Sequence, residues 1–297
     1  MKIINFGSLN LDHVYDVEQI VEKSMTIKAS GYRNYCGGKG LNQSVAMARA
    51  GAKVTHVGAV GADGTPLLNL LDKCGVDTGC IRTLDVPTGH AIIQVDSFGD
   101  NCIIIFGGAN QEIGREQIDD TLDAAAPGEY LVIQNEISNI PYLVDRAYEK
   151  GMVICFNPSP MSESVGEETL LSKVSYLFIN EIEGMLLSGE QGKYAILENL
   201  RTRFPNCSII LTLGAKGAVY SGPEGVFEQG IYKTETVDTT GAGDTFCGFF
   251  IASVSKGESI SNALKYASKA SSICVSRPGA APSIPTIDEV LAGLRGE

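Results

Sequence analysis

The chain has 297 residues, 44% of them hydrophobic, enough for one large α/β domain, or one domain with a small appendage, around a substantial core. Its 23 Lys and Arg face 35 Asp and Glu, and a net charge of −12 excludes the clustered positive surface that nucleic acid or an anionic membrane requires. Any phosphate it binds must be held by backbone amides, a metal or a few local cations.

In chain order, the opening MKIINFGSLNLDHVYD has no apolar signal region, and no later run approaches the roughly 20 apolar residues of a spanning helix, so a soluble, cytoplasmic protein is expected. IINFG (3–7) reads as a first core strand, and residues 12–36 alternate without a good helical pattern. LNQSVAMARAG (41–51) has helical spacing, VTHVG (54–58) reads as a strand and TPLLNLLDKCG (65–75) as a helix. HAIIQVDSFGDNCIIIF (90–106) reads as a hairpin about Gly-Asp-Asn. YLVIQ (130–134), MVICFN (152–157), YLFIN (176–180) and SIILTL (208–213) continue the strands, with helices predicted at 141–151 and 194–204 between them. A further apolar helix follows VDTTGAGDTF (237–246), and RPGAAPSIPT (277–286) is a turn-laden loop before a last helix.

This alternation predicts a mainly parallel sheet with helices on both faces and its ligand at the edge where the strands end. The stretches 12–36 and 90–106 are expected as antiparallel strands outside that sheet, forming a small β lid, with an antiparallel extension of the main sheet as the alternative. Eight cysteines (Cys36, Cys74, Cys80, Cys102, Cys155, Cys207, Cys247, Cys274) occur without a CxxC pair, mostly in apolar runs. Buried free thiols are expected rather than a zinc or disulfide framework.

Two glycine-rich stretches carry chemistry. Gly241-Ala242-Gly243 precedes a helix, where free amides and the helix dipole favour a polyanion and small side chains let it approach. Neither GxxxxGK[ST] nor a strand-borne GxGxxG is present, and taken alone the stretch also fits a tight turn with Asp244 near the first helical turn. Gly37-Gly38-Lys39-Gly40-Leu41-Asn42 opens another helix, with Lys39 and Asn42 as donors to hydroxyl or phosphate oxygens. A plain N-cap region with Asn42 and Gln43 solvated is the alternative. Asn10, Asp12, Glu136, Asn157 and Asn180-Glu181-Ile182-Glu183 all follow strands and so converge on the same sheet edge.

Through SLNLDH (8–13), GGKGLNQ (37–43), GGANQEI (107–113), NPSP (157–160), NEIEG (180–184), TLGAKG (212–217), DTTGAGDTF (238–246) and SRPGAAPSIP (276–285), the chain resembles the ribokinase branch of the PfkB carbohydrate kinase family. The resemblance implies a ribokinase-like three-layer α/β/α core with a β-sheet lid, a single kinase domain over 1–297 with lid insertions at about 12–36 and 90–106, and a homodimer through the lid. It implies phosphoryl transfer from ATP, with Mg²⁺, to a primary hydroxyl of a sugar. Carried over by position, Asn10, Asp12, Gly38, Lys39, Gly40, Asn42 and Glu136 fall on the sugar side. Asn180, Thr212, Leu213, Gly214, Ala215, Lys216, Gly217, Gly243 and Ser268 fall on the nucleotide side. Asp238, Thr240, Cys274, Arg277, Gly279 and Ser283 match a monovalent-cation site expected to take K⁺, partly through backbone carbonyls. Asp244 falls on the catalytic base, with Gly241, Ala242 and Gly243 as its anion hole.

The resemblance makes ribose or a related pentose or hexose the expected acceptor, while the absence from residues 21–36 of the Pro-Gly-Glu-Thr turn common in ribokinases counts against ribose itself more than against kinase activity. A nucleoside kinase of the same fold is the alternative, for which Tyr15, Tyr32, Tyr35 and Phe106 offer stacking surfaces if lid packing does not use them. A non-catalytic sugar-binding sensor is the second alternative.

Overall fold

Short apolar runs alternating with amphipathic ones fold into two sheets in the computed structural model, which describes residues 1–161 and 167–296. The chain enters on β1 (Lys2–Phe6), leaves the main sheet as β2 (Asn10–Asp16) and β3 (Gly31–Gly37), and returns through α1 (Lys39–Arg49), β4 (Lys53–Val60), α2 (Thr65–Lys73) and β5 (Asp77–Thr83). A second excursion is the hairpin β6 (Gly89–Val95) and β7 (Asn101–Phe106). Then come α3 (Arg115–Asp123), β8 (Tyr130–Gln134), α4 (Ile140–Glu149), β9 (Val153–Asn157), α5 (Glu168–Leu171), β10 (Tyr176–Asn180), α6 (Glu181–Ser188), α7 (Lys193–Arg203) and β11 (Ser208–Thr212). The hairpin β12 (Ala218–Gly222) and β13 (Gly225–Gln229) closes one edge, and α8 (Ala242–Ser255), α9 (Ile260–Val275) and α10 (Ile287–Arg295) complete the fold. The six core strands and four spaced helices expected from sequence all form, within two residues of the expected ends.

The main sheet has nine strands in the order β13-β12-β11-β10-β9-β8-β1-β4-β5, parallel from β11 to β5. Helices cover both of its faces, which explains why β8 is buried at every residue. Ile3, Val132, Phe178 and Ile210 point into a core shared with α1, α2 and α8–α10, whereas Ile4, Phe6, Leu131, Ile133 and Phe156 point into the core under α3–α7. Among the described residues no helix is long and apolar enough to cross a membrane. All eight cysteines are free, and Cys155, Cys207, Cys247 and Cys274 are buried while Cys102 is exposed.

The smaller sheet is separate, in the order β3-β2-β6-β7. Its pairing corrects the wholly antiparallel expectation: β2 and β6 run parallel, Asp12 opposite Ala91. Each follows a strand of the parallel main sheet, β1 or β5, so both leave it in the same sense. The sheet also begins at Asn10 rather than residue 12, and residues 17–30 between β2 and β3 contain no strand or helix.

Close backbone contact fixes α1 against β1. A Cβ on Gly40 would lie 2.4 Å from the Gly7 backbone, and one on Gly7 would lie 2.4 Å from Gly40 Cα, so only a glycine pair permits this approach. The start of α1, with Lys39, Asn42 and Gln43, is thereby pressed onto the end of β1.

Candidate active site

Helix α8 begins at Gly241, whose φ of 75° is the left-handed region that glycine enters without strain. Its first turn carries Asp244, 8% exposed, and it continues through Phe246, Phe249 and Phe250 into the core. The Ala242 amide closes a turn on Thr239 O at 3.3 Å, a bond that competes with its expected part in an anion hole. A Cβ on Gly243, by contrast, would meet nothing within 4 Å, so open space lies over that part of the turn.

The Asp244 carboxylate is held from α1. Asn42 Nδ2 donates to Oδ2 at 3.0 Å and Gln43 Nε2 donates to Oδ1 at 3.0 Å. Lys39 shares this pocket, and the Asp244 carboxylate, against the opposing effect of burial and with help from Glu136 and Glu183, raises the pKa of its ammonium. The alternative N-cap reading, with Asn42 and Gln43 solvated, does not hold, since both are buried, Gln43 fully. Its signal was its register: Gln43, Ala46, Met47 and Ala50 share one buried helix face.

The expected sugar-side residues gather beside it. Glu136 accepts from the Ser8 hydroxyl and, at 3.1 Å, from the Lys39 amide, so it caps the start of α1. Burial first of all raises the Glu136 pKa, against Ser8 and Lys39, which lower it. Asp12 is pushed up to about 7 by burial and then by the Glu136 charge. Asn10 Oδ1 accepts from Asn110 Nδ2 at 2.8 Å. Gly38, at φ 94°, and Gly40 serve backbone approach, and the Gly40 carbonyl accepts from Asn5. Of the four aromatics considered for stacking, only Tyr35 shares the face of Asp12, whereas Tyr15, Tyr32 and Phe106 lie on the other face of the small sheet.

Two cavities meet at the Gly241–Gly243 turn. One, of about 260 Å³, is lined by Lys39, Asn157, Asn180, Glu183, Gly241 and Asp244 among others. Asn180 caps α6, its side chain accepting from the Glu183 amide at 2.9 Å. The second, of about 560 Å³ and mostly apolar, is lined by Thr212, Gly214, Ala215, Gly217, Gly243 and Ser268 from the expected nucleotide side and by Ala242 from the expected anion hole. Thr212, Thr239 and Gly243 line both. Ile231, Tyr232, Lys233, Thr234, Thr236, Phe246, Ser271, Ser272 and Val275 complete the larger cavity, and those at 231–236 were not read from sequence because that stretch follows no helical or strand period. Leu213 is buried outside both linings, and Lys216 points to solvent, its side chain 74% exposed and 3.9 Å from Glu181.

A third cluster lies beside the α8 N-terminus. Asp238 Oδ1 accepts from the Thr240 amide at 2.9 Å and its hydroxyl at 2.6 Å, and Oδ2 accepts from the Gly279 amide at 2.9 Å. These bonds hold the Asp238 pKa below its ordinary value, although burial, the largest single influence, acts in the opposite direction. Cys274 Sγ lies 3.0 Å from Ser283 Oγ and 3.9 Å from Thr240 O. The Arg277 side chain turns away to Glu289 at 2.6 Å. The Asp238 carboxylate, the Thr240 and Ser283 hydroxyls and the Thr240 carbonyl are the oxygens of this cluster.

A small cavity walled by a helix N-terminus and a buried carboxylate, opening onto a larger apolar one, defines a phosphotransferase acting on a small polar acceptor. The model of the pfkB family of carbohydrate kinases matches residues 1–287. The chain belongs to that family. A ribokinase of Staphylococcus aureus (strain COL) is 31% identical, the match covering 97% of this chain and 98% of that protein. Among solved structures, Arabidopsis thaliana ribokinase complexed with ribose and ATP is 29% identical with a TM-score of 0.88, covering 99% of this chain and 98% of that one. Ribokinase from Thermotoga maritima is 32% identical with a TM-score of 0.88, covering 99% of each chain.

Proposed function

We propose that the protein transfers the terminal phosphoryl group of ATP to the primary hydroxyl of ribose, in the cytoplasm, where its eight free cysteines stay reduced. The observation that carries this reading is Asp244, a buried carboxylate in the first turn of α8, lining the smaller cavity with Lys39 and the Gly241–Gly243 turn. Two donated hydrogen bonds leave the carboxylate with lone pairs to spare, so it can accept the proton of an attacking hydroxyl. Gly241 and Gly243 bring their amides to the phosphoryl oxygens, with Ala242 less free to do so. Mg²⁺ arriving with ATP would supply charge neutralisation, with Glu183 as the second carboxylate lining the smaller cavity beside the base.

Asn10 and Asp12 on β2, with Lys39, Asn42 and Glu136, would bind the sugar hydroxyls, Asp12 bridging two neighbouring ones. The apolar cavity fits the nucleoside of ATP. The small sheet acts as a lid that keeps water from the phosphoryl group. Its outer strand leaves Ile103, Ile104, Ile105 and Phe106 at least 51% exposed, Ile104 and Phe106 on the face away from Asp12, an apolar edge strand suited to a second copy in a homodimer. K⁺ beside Asp238, held with oxygens of Thr240, Cys274, Arg277, Gly279 and Ser283, would stiffen the loop that carries the Gly241–Gly243 turn.

Mixing the protein with Mg·ATP and a panel of sugars and nucleosides, and following ADP release, tests the reading. Ribose is expected to give the highest kcat/KM. Preference for a nucleoside, or no ADP release with any acceptor, overturns it. Asp244→Asn is expected to lower kcat by ~10²–10⁴-fold with KM little changed.

A further inference from the structure

Behind Asp244 runs a buried chain of polar side chains that lines neither of the two cavities. Gln43 Oε1 accepts from Gln134 Nε2 at 2.8 Å, and the same amide donates to Asn5 Oδ1 at 3.1 Å. Asn5 Nδ2 donates to Ser44 Oγ at 2.7 Å, Ser44 Oγ lies 2.8 Å from His56 Nδ1, and His56 Nε2 lies 3.2 Å from Gly7 O. Asn5, Gln43, Ser44, His56 and Gln134 are all fully buried, and they come from α1, β1, β4 and β8. A polar cluster of this depth costs desolvation at every member, and an apolar core would fill the same space.

The direction of every bond is fixed from the far end. A carbonyl only accepts, so His56 Nε2 carries the proton facing Gly7 O, and Nδ1 accepts from the Ser44 hydroxyl. That hydroxyl, its proton used, accepts from the Asn5 amide, which turns the Asn5 oxygen toward Gln134. Gln134 then faces two acceptors, Asn5 Oδ1 and Gln43 Oε1, and gives both its amide while its own oxygen stays buried without a partner. Gln43 is left with its amide toward Asp244. The opposite setting would aim the Gln43 oxygen at a carboxylate, acceptor against acceptor. Burial pushes His56 down to about 4, so the ring is neutral near pH 7 and the order does not invert.

We propose that Gln43 is a positioning residue for phosphoryl transfer, its donor face set by the buried chain from Gly7 so that the Asp244 carboxylate is fixed in one plane toward the attacking hydroxyl. The terminal torsion of an Asp side chain is soft, and one hydrogen bond leaves it free to swing. Donors on both oxygens, Asn42 on one and Gln43 on the other, hold it. This rests on the reading of Asp244 as the base.

The test is a double-mutant cycle with Mg·ATP and ribose. Gln43→Met keeps the length of the side chain and removes its donor. It is expected to lower kcat roughly 10–100-fold with both KM values within about threefold. In an Asp244→Asn background, where no base remains to orient, it is expected to cost less than about twofold. Ser44→Ala, a smaller change in volume, releases Asn5 and is expected to lower kcat severalfold without moving KM. Wild-type kcat in Gln43→Met, or an equal loss in both backgrounds, overturns the proposal. If the wild-type protein releases no ADP with any acceptor, the kinase reading fails separately. A crystal structure of Gln43→Met then decides the positioning: a rotated or split Asp244 carboxylate upholds it, and an unmoved one overturns it.

Discussion

Asp12→Asn should make the protein more stable and less active, by an amount that depends on pH. Burial and the neighbouring Glu136 raise the Asp12 carboxyl to about 7 in the fold, against about 3.9 for an unfolded chain. Between those values the native state keeps a proton that the unfolded chain has released. Stability from this group is therefore undiminished below about pH 4 and falls as the pH rises, by up to ~1.4 kcal/mol per unit, levelling off above about pH 7. Asparagine has the same shape and no charge to desolvate. The stability gap between Asp12→Asn and wild type should widen by ~2–3 kcal/mol between pH 5 and pH 8, with water at the open side of the pocket trimming the upper figure. Urea unfolding of both proteins at pH 5, 6, 7 and 8, without sugar, reads the gap directly. The variant should meanwhile lose sugar affinity, and wild-type sugar KM should rise as pH drops below 7. Stability curves that stay parallel across the range would refute the account of Asp12 as a charge held in strain for binding.

Three further outcomes follow from positions already described. Gly243→Ala should fold normally, since its Cβ meets nothing within 4 Å and alanine favours the helix, yet lower kcat/KM for ATP at least about tenfold by filling the turn where the cavities join; thermal unfolding and steady-state kinetics check this. Gly40→Ala, with a Cβ 2.4 Å from the Gly7 backbone, should cost ~2–3 kcal/mol or more in urea unfolding, and a wild-type midpoint would contradict the glycine-pair contact. Replacing K⁺ by a bulky organic cation should reduce wild-type turnover severalfold, whereas Asp238→Asn should show low activity that no longer responds to K⁺.

Local pattern made the main sheet legible. YLVIQ and YLFIN are continuous apolar runs, as strands covered on both faces must be, and each forms where expected. The α8 N-terminus was less plain, because Gly241-Ala242-Gly243 before an apolar helical run also fits a tight turn, and only the surrounding blocks favoured an anion site. Pairing between distant segments was not legible: nothing in residues 10–16 or 89–95 specifies that β2 and β6 run parallel, which depends on how the main sheet orders β1 and β5. The residues behind the base were hidden for a different reason. Asn5, His56 and Gln134 each interrupt an apolar strand, and a single interruption is indistinguishable from a strand end until partners from other elements are seen together. Lys216 shows the opposite limit, since it sits in the right sequence block while its side chain faces solvent.

The junction of the two cavities also bears on inhibition. Thr212, Thr239 and Gly243 belong to both linings, so the two cavities adjoin at the Gly241–Gly243 turn. A bisubstrate molecule, with an adenosine at one end and a polyol at the other joined through a short phosphate chain, would pass from one to the other at that turn. Once its adenosine end is seated, the polyol end binds at an effective concentration in the millimolar range, so avidity multiplies without a single added contact. The length of chain that gives the tightest binding would then serve as a ruler for the in-line distance across Gly243.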